Sequence, residues 1–176
     1  MPGGPSLRTL IEALLFVASG PVAVGDLAQA LEEEEATVNA ILEEWARDHA
    51  ARGIRLQRLG ERVQLVSAPE AAPYIERFLG LHRSGRLSAA ALETLAIVAY
   101  RQPVTRPEIE VLRGVDCSGT LHTLLRYGLI EDRGRAPRPG RPILYATTFD
   151  FLRHFGLHSL EDLPPLDLPE PLQEDL

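Results

Sequence analysis

The hydrophobic positions of the first fifty residues are spaced for three helices that each bury one face. The first helix has apolar residues at the i, i+3, i+4 and i+7 spacing, at Leu7, Leu10, Ile11, Leu14 and Ala18. Gly20 and Pro21 end it. A short second helix is predicted over residues 24–31. A third helix stops near Gly53 and has its apolar positions at Val38, Ile41, Leu42, Trp45 and Ala46.

A hairpin is predicted after the three helices. Ile54 and Leu56, and then Val63 and Leu65, alternate with polar residues, which is the period-two pattern of strands with one buried face. Gly60 supplies the turn between the two strands. Three helices and a two-stranded wing predict a winged-helix domain.

The end of the first domain is marked by one more helix and a linker. The helix is predicted over residues 70–79, and one of its sides carries Tyr74, Ile75, Phe78 and Leu79. Residues 80–85 contain two glycines and are the predicted linker. We therefore place the domain boundary near residue 85.

The second half of the chain repeats the first after one inserted residue. The matching pairs are Ile11/Leu92, Glu12/Glu93, Leu14/Leu95, Val17/Val98, Ala18/Ala99, Pro21/Pro103, Val22/Val104 and Leu27/Ile109. A repeat of about 80 residues is long enough to be a domain with its own core, whereas a period of about 20 to 50 residues is typical of a stacked array. The sequence therefore predicts a second winged-helix domain.

Polar residues mark the helix starts of the second domain. Ser88, Thr105 and Ser118 are predicted caps for helices over residues 89–100, 106–112 and 119–127, and Glu108 completes a capping box with Thr105. Thr148 is the predicted cap of a last helix that Gly156 closes. Wing strands are predicted at residues 129–133 and 143–147. The predicted core comprises Leu92, Leu95, Ala99, Ile109, Leu112, Leu121, Leu124 and Leu125.

The predicted fold class is mostly α with small β hairpins (α+β), built as two tandem winged-helix domains. Residues 1–84 form the N-terminal domain, for which we predict a dimerisation role, and residues 85–163 form the C-terminal domain. Residues 164–176 hold four prolines and four acidic residues and are expected to form a tail without its own fold. Each domain has roughly 75 residues, near the lower limit for a self-sufficient core, so a homodimer is expected.

The amino-acid composition indicates where the protein is located and which domain could contact nucleic acid. The chain has no run of about 18 apolar residues and no basic start typical of a signal peptide, so we expect a cytoplasmic protein without a membrane contact. The single Cys117 is predicted to be a structural residue near a helix start. Residues 85–160 hold 10 Arg against 7 acidic residues, whereas residues 1–84 hold 8 Arg against 12. Any contact with nucleic acid would therefore belong to the second domain.

No catalytic or metal-binding pattern is present in the sequence. The five histidines never occur at i, i+4 on one helix, and neither a nucleophile elbow nor a phosphate-binding glycine loop is found. Glu12 and Glu93, early in the first helix of each repeat, are accounted for by the helix dipole. We expect a protein that is not an enzyme and that has no cofactor.

Two interpretations of the basic wing stay open. Arg133, Arg135 and Arg138, together with Arg141, cluster in the second wing, where a winged-helix protein could contact the DNA backbone. This pattern favours a tandem winged-helix DNA-binding transcriptional regulator as the alternative function. The other interpretation is that these arginines pair with acidic residues such as Glu131 or Asp132. The acidic third helix of the first domain should repel phosphates.

Residues 87–166 resemble the second domain of the segregation and condensation protein B (ScpB) family, and residues 7–166 are compatible with that family. The segments ALETLAIVAYRQPVTRPEIE, GRPILYATT and FLRHFGL carry the resemblance. It implies a non-enzymatic subunit of the SMC condensin complex that acts as a homodimer in chromosome condensation and segregation. The implied partner is the kleisin ScpA, and through it SMC, with weak or no direct DNA binding and a nucleoid-associated location.

The family gives no catalytic residues to transfer. For kleisin contact we select aromatic and arginine side chains in the segments that carry the resemblance, because these residue types are frequent interface anchors. They are Tyr100, Arg101, Arg141, Tyr145, Phe149 and Phe155. The other interpretation is that Tyr145, Phe149 and Phe155 belong to the core.

Overall fold

The computed structural model describes residues 4–79 and 87–165. The linker predicted at residues 80–85 lies outside the described residues, and so does the predicted tail from residue 166 onward.

Both halves of the chain contain the same series of elements: a helix, a short strand, two helices and a hairpin. In the first half these are α1 (Leu7–Val17), β1 (Val22–Ala23), α2 (Val24–Leu31), α3 (Glu35–Asp48), β2 (Ile54–Leu59), β3 (Arg62–Ser67) and a trailing α4 (Ala72–Leu79). In the second half they are α5 (Ala89–Arg101), β4 (Val104–Thr105), α6 (Arg106–Arg113), α7 (Ser118–Arg126), β5 (Ile130–Arg135), β6 (Ile143–Thr147) and α8 (Phe149–Phe155). The predicted fold of two tandem winged-helix domains is confirmed.

Each domain has a three-stranded antiparallel sheet rather than the two-stranded wing predicted from the sequence. The strand orders are β1-β3-β2 and β4-β6-β5. Val22 pairs with Val63 in the first sheet, and Val104 pairs with Tyr145 in the second. The third strand was missed because it has only two residues, too few for a period-two pattern.

The first helices of the two domains match in a different register from the sequence repeat. Val17 is 74% exposed, although its sequence counterpart Val98 is fully buried. Ile11 and Leu15 are the buried pair on the first helix, and on the second the same spacing of four joins Ala91, Leu95 and Ala99. A shift of one turn keeps the buried face on the same side of the helix, so the sequence pattern could not resolve it.

The predicted core was only partly right. Leu95, Ala99, Ile109, Leu121 and Leu124 are buried. Four leucines assigned to the core are instead more than a third exposed: Leu10, Leu92, Leu112 and Leu125. On α5, the buried positions near Leu92 are occupied by smaller side chains, namely Ala91, Thr94 and Val98. Small side chains let the helices approach closely, and the leucines then lie at the rim of the contact.

Three of the four predicted helix caps are confirmed. The Ser88 and Thr148 hydroxyl oxygens accept hydrogen bonds from backbone N–H groups three residues on, and Glu108 closes the capping box with Thr105. Ser118 is not a cap, because α7 begins at this residue. The Asp116 carboxylate instead accepts hydrogen bonds from the Ser118 N–H and hydroxyl. These two bonds lower the pKa of Asp116.

The first wing strand of the second domain is longer than predicted and contains a bulge. β5 runs to Arg135, and its pairing with β6 is shifted between Asp132 and Arg135. Gly134 has a φ of 97°, and its N–H donates to the Asp132 carboxylate at 2.7 Å. The glycine permits this backbone conformation, and the bulge extends the strand.

The two domains meet at the edge of β2. The Gln57 Nε2 donates to the Leu157 carbonyl oxygen at 2.7 Å, and the Arg58 N–H donates to the His158 carbonyl oxygen at 2.8 Å. Leu59 packs against the core of the second domain. A Cβ on Gly156 would lie 3.1 Å from the Pro69 ring. The segment after α8 therefore satisfies part of the free edge of the first sheet.

We predict that Gln57→Leu weakens the contact between the domains. Gln57 is 2% exposed, and leucine keeps a similar volume while leaving the Leu157 carbonyl without this donor. The expected loss is about 1 to 3 kcal/mol in the free energy of unfolding, with faster hydrogen exchange at the Arg58 amide. Urea titration measures the free energy of unfolding, and NMR measures the hydrogen exchange of the Arg58 amide. Gln29→Leu on the exposed side of α2 is the matched control. Unchanged stability and exchange in Gln57→Leu would contradict the prediction.

Candidate partner-binding surface

A cleft opens between the end of α5 and the outer face of α6. Its volume is about 470 Å³. We call it the α6 cleft, and its lining residues are Arg101, Pro103, Val104, Pro107, Glu108, Val111 and Leu112. Val111 is 82% exposed and Leu112 is 54% exposed. An apolar surface with a few polar groups at its border is typical of a binding cleft.

The turn that forms the cleft is held by side-chain hydrogen bonds. The Gln102 Oε1 accepts from the Thr147 N–H at 2.8 Å and from the Thr147 hydroxyl at 2.9 Å, so α5 is tied to the end of β6. The Glu108 carboxylate accepts from the Thr105 N–H at 2.8 Å and from its hydroxyl at 2.6 Å. The backbone from α5 into α6 is thereby fixed on both sides of Pro103.

Glu108 also connects the cleft to the wing. The Arg138 Nη2 lies 2.9 Å from its carboxylate. The hydrogen bonds from Thr105 and Arg138 lower the pKa of Glu108 to about 2. Glu108 therefore stays ionised at all ordinary pH values, and its charge is compensated within the protein.

Arg101 is the cationic group at the rim of the α6 cleft. It is exposed at the end of α5, and among the described residues no ion pair is formed by its guanidinium. Chemically, the cleft can accept an extended segment that carries apolar side chains and a carboxylate.

Of the six side chains selected for kleisin contact, only Arg101 lines this cleft. Tyr145 is buried in the core, and this burial raises the pKa of its hydroxyl. Phe149 is half-buried and packs against the same core. Tyr100 packs there too, and its hydroxyl donates to the Pro164 carbonyl oxygen at 2.7 Å. These three rings stabilise the domain and offer little surface to a partner.

Phe155 and Arg141 are exposed but lie outside the cleft lining. Phe155 is 44% exposed, with its ring centroid 5.1 Å from that of Phe151. Arg141 adopts a φ of 41° in the wing loop, and its carbonyl oxygen accepts from the Arg135 Nη1 at 3.0 Å. With Arg101 they are the members of the set whose side chains can reach a partner.

The wing arginines are largely engaged within the domain. Arg133 lies 3.4 Å from the Glu131 carboxylate, and Arg138 pairs with Glu108. Arg135 donates to the Arg141 carbonyl oxygen. The pairing anticipated for these arginines is therefore present for Arg133 and Arg138.

The apolar part of the cleft was missed by the sequence reasoning. Leu112 was assigned to the core, and Val111 was not selected at all. The signal was available in α6, where Ile109 already occupies the buried face and the adjacent apolar residues Val111 and Leu112 lie on other faces of the helix.

The first domain presents acidic and apolar surfaces on its helices. The exposed side of α3 carries Glu35, Glu43, Glu44 and Asp48, as expected from the sequence. Arg8 on α1 lies 2.7 Å from Asp48. Exposed apolar side chains occur on α1 and α4: Phe16, Val17, Tyr74, Phe78 and Leu79. None of the side chains of α4 is buried in the described chain.

Glu12 and Glu93 have specific partners, which corrects the explanation by the helix dipole. The Glu12 carboxylate accepts from the Trp45 Nε1 at 2.6 Å and joins α1 to α3. Glu93 pairs with Arg113 at 3.0 Å and joins α5 to α6. Both carboxylates hold helices together, although in the burial alignment they do not occupy equivalent places.

Cys117 is buried at the N-cap of α7, as the sequence predicts for a structural residue, and burial raises the pKa of its thiol. Within the part of the chain that the structure describes, no three His, Cys, Asp or Glu side chains are grouped so that they could hold a metal ion. In residues 4–79 and 87–165, no helix is both long enough and apolar enough to cross a membrane.

Comparison with known proteins identifies close relatives. A protein-family model described as "Segregation and condensation complex subunit ScpB" matches residues 9–166. Segregation and condensation protein B of Desulforamulus reducens is 47% identical over 162 residues, which cover 91% of this chain and 89% of the relative. The protein of the same name from Moorella thermoacetica is 47% identical over 166 residues, covering 92% of this chain and 84% of the relative.

Solved structures also match. ScpB from Mycobacterium tuberculosis is 39% identical with a TM-score of 0.42, covering 86% of this chain and 95% of that one. A structure described as a dimer of the ScpB N-terminal domain complexed with ScpA peptide is 32% identical with a TM-score of 0.39. This second match covers 40% of this chain and 91% of that one.

We predict that Glu108 makes the stability of the second domain depend on acid pH. Its folded pKa of about 2 lies below the usual 4.5, so its contribution is present above pH 4.5 and is lost as the pH falls toward 2. The side chain is 41% exposed, so solvent screening reduces the effect. Glu108→Gln should flatten the pH dependence of the urea midpoint in this window. Glu43→Gln, on the exposed side of α3, is the control and should leave the pH dependence of the urea midpoint unchanged. Parallel curves for Glu108→Gln and the parent would contradict the prediction.

Proposed function

The chain belongs to the ScpB family of segregation and condensation complex subunits, and from this we propose that it is a non-enzymatic adaptor that binds the kleisin ScpA as a homodimer. The observation that carries the proposal is the family match over residues 9–166, which spans both winged-helix domains. Through ScpA the protein would join SMC, with ATP hydrolysis located elsewhere in the complex. Its place of action would be the cytoplasm, at the nucleoid.

Dimerisation through the first domain is supported by its exposed apolar side chains. Phe78 is 87% exposed and Phe16 is 80% exposed. A small domain gains stability by covering such side chains, and a second copy offers the same surface around a two-fold axis. The acidic side of α3 would stay outside this contact, because facing it with its own copy would bring like charges together.

Kleisin binding by the second domain is supported by the α6 cleft and the exposed members of the selected set. Arg101 offers a guanidinium beside apolar surface, and Phe155 offers a ring that is only partly covered. Arginine and aromatic side chains contribute strongly when an interface desolvates them.

Direct DNA binding would be weak at most. Arg133 and Arg138 are paired with glutamates, so binding phosphate would require breaking these contacts. The third helix of the first domain is acidic, as described above. The contacts of the wing therefore do not favour a DNA-binding regulator as the main function.

We predict that Phe78→Asp disrupts the homodimer. If each of the two copies buries this ring in the contact, losing both rings removes about 3 to 6 kcal/mol of the free energy of association. Dimerisation is then weaker by about 10² to 10⁴-fold. Light scattering after size-exclusion chromatography should show twice the 19.4 kDa chain mass for the parent and a single chain for the variant. Val115→Asp, on the exposed surface of the second domain, is the control. A parent that elutes as a monomer, or a variant that stays dimeric, refutes the location of the contact.

We predict that Arg101→Gln and Phe155→Ser weaken binding to ScpA of the same organism. Loss of an interface anchor costs about 1 to 3 kcal/mol of binding free energy, so the Kd for ScpA should rise by about 5 to 150-fold. Calorimetric titration measures it, with Arg47→Gln on α3 as the control. If the parent chain forms no complex with ScpA, the adaptor proposal fails. If the parent binds and both variants bind equally well, only the assignment to these residues fails.

A further inference from the structure

We propose that α4 of one copy packs across the exposed side of α1 of a second copy, and that a two-fold axis repeats this contact with the roles exchanged. The exposed side of α1, which we call the α1 stripe, comprises Thr9, Leu10, Ala13, Phe16 and Val17. The α4 face comprises Tyr74, Phe78 and Leu79. This pairing rests on the homodimer proposed above and specifies which surface of one copy meets which surface of the other.

α4 is a short helix whose apolar side is uncovered. It has eight residues, and within the described part of the chain none of its side chains is buried. Tyr74 is 69% exposed and Phe78 is 87% exposed, and their i, i+4 spacing places both rings on one side of the helix. A helix shorter than about 12 residues is marginal in water and gains most of its stability from packing an apolar face. The α4 face therefore needs a surface that covers it.

The α1 stripe is a surface that another helix can approach closely. All five of its side chains are uncharged and exposed, with Phe16 80% and Val17 74% exposed. Ala13 lies in the middle of the stripe, three residues from Leu10 and four from Val17. A small side chain between larger ones leaves a groove into which the side chains of a crossing helix fit. The rings of the α4 face have the size that this groove requires.

In a single chain the two surfaces lie at opposite ends of β3. α1 leads to Val22, which pairs with Val63, whereas α4 follows Ser67, which pairs with Ile54. The four residues of strand from Val63 to Ser67 span about 13 Å. Both surfaces stay exposed, so α4 does not cover α1 of its own chain. A second copy can bring its α4 to this α1, and two-fold symmetry makes the exchange reciprocal.

The combined area of the two surfaces is close to what a stable dimer needs. An aromatic side chain presents about 150 to 250 Å², so the α1 stripe and the α4 face together expose roughly 700 Å² of apolar side chain per copy. A stable interface covers about 800 Å² on each partner. Neither surface reaches this size alone. A contact of α4 with α4, or of α1 with α1, would leave the other surface uncovered.

The charges at the borders of the two surfaces are complementary. Beside the α1 stripe, the Arg8 guanidinium is shared by three carboxylates, at 2.7 Å from Asp48 and 3.7 Å from both Glu12 and Glu44. Arg77 on α4 lies over the Tyr74 ring and has no ion pair among the described residues. Packing α4 on α1 brings this cation to the acidic border. Packing α4 on α4 would bring two Arg77 side chains together.

Mixing two variants that each disrupt the dimer tests the pairing. Val17→Lys removes the α1 stripe and Phe78→Asp removes the α4 face, so each variant alone should be monomeric at concentrations where the parent is dimeric. In a mixed dimer both substitutions fall in one of the two contacts and the other contact is intact. The mixed pair should therefore associate about 10 to 100-fold more tightly than either variant with itself. Native mass spectrometry, with one variant labelled with ¹⁵N, measures the mixed dimer.

Tyr74→Asp mixed with Phe78→Asp is the matched control. Both substitutions lie on α4, so each of the two contacts in the mixed dimer contains one of them and no rescue is expected. All three side chains are exposed, so the fold should be retained, which circular dichroism of each variant verifies.

Arg77→Glu tests the charges separately from the apolar contact. It should raise the Kd of the dimer by about 3 to 30-fold at low salt, and this effect should shrink at high salt because the pairs are at the border of the contact. Arg126→Glu is the matched control, since Arg126 lies over the Tyr127 ring of the second domain in the same way. It should leave the Kd of the dimer unchanged.

The outcomes separate this pairing from the homodimer itself. A dimeric parent whose Val17→Lys and Phe78→Asp variants do not rescue each other overturns the pairing and leaves the homodimer standing. Val17→Lys that stays dimeric on its own also overturns it, because the α1 stripe is then outside the contact. A monomeric parent overturns both the homodimer and the pairing.

Discussion

The second domain depends on the hydrogen-bonded turn that leads from α5 into α6. Gln102 fixes the end of α5 to β6, and Glu108 fixes the start of α6 to Thr105. The two-residue strand between them completes the sheet by pairing with β6. With Thr105 buried and its polar groups bonded, the turn is rigid and α6 is held with one apolar face outward. The α6 cleft exists because the turn holds α6 in this position against the end of α5.

The two domains share an architecture but present different surfaces. In the first, α3 is acidic on its exposed side and is tied to α1 through Glu12 and Trp45. In the second, the arginines surround α6 and the wing, and several are paired with glutamates. The repeat therefore supplies one scaffold with two kinds of contact surface, apolar on α1 and α4 and mixed apolar and cationic at the α6 cleft. An adaptor with separate sites for its own copy and for another subunit fits this division.

Contact between the domains uses the free edge of a sheet. β2 has an unpaired side, and the Leu157 and His158 carbonyl groups accept hydrogen bonds from it. Gly156 allows the approach, because a side chain there would press on Pro69. This contact also sets the direction in which the chain continues toward Tyr100 and Pro164. The position of Pro164 is thus coupled to the packing of both domains.

The sequence by itself determined the helices, both wing hairpins, most of the caps and the duplication, because these depend on local periodicity and on short-range hydrogen bonds such as that of Thr148. It also carried the family resemblance. Only the tertiary structure decided which apolar side chains are covered: Leu92 and Leu112 have the spacing of core residues and lie outside it. Periodicity defines the faces of a helix, but which face meets a neighbour depends on how closely small residues such as Ala91 let the helices pack. The α6 cleft and the bond from Gln57 to Leu157 join residues distant in sequence, so no local pattern could reveal them.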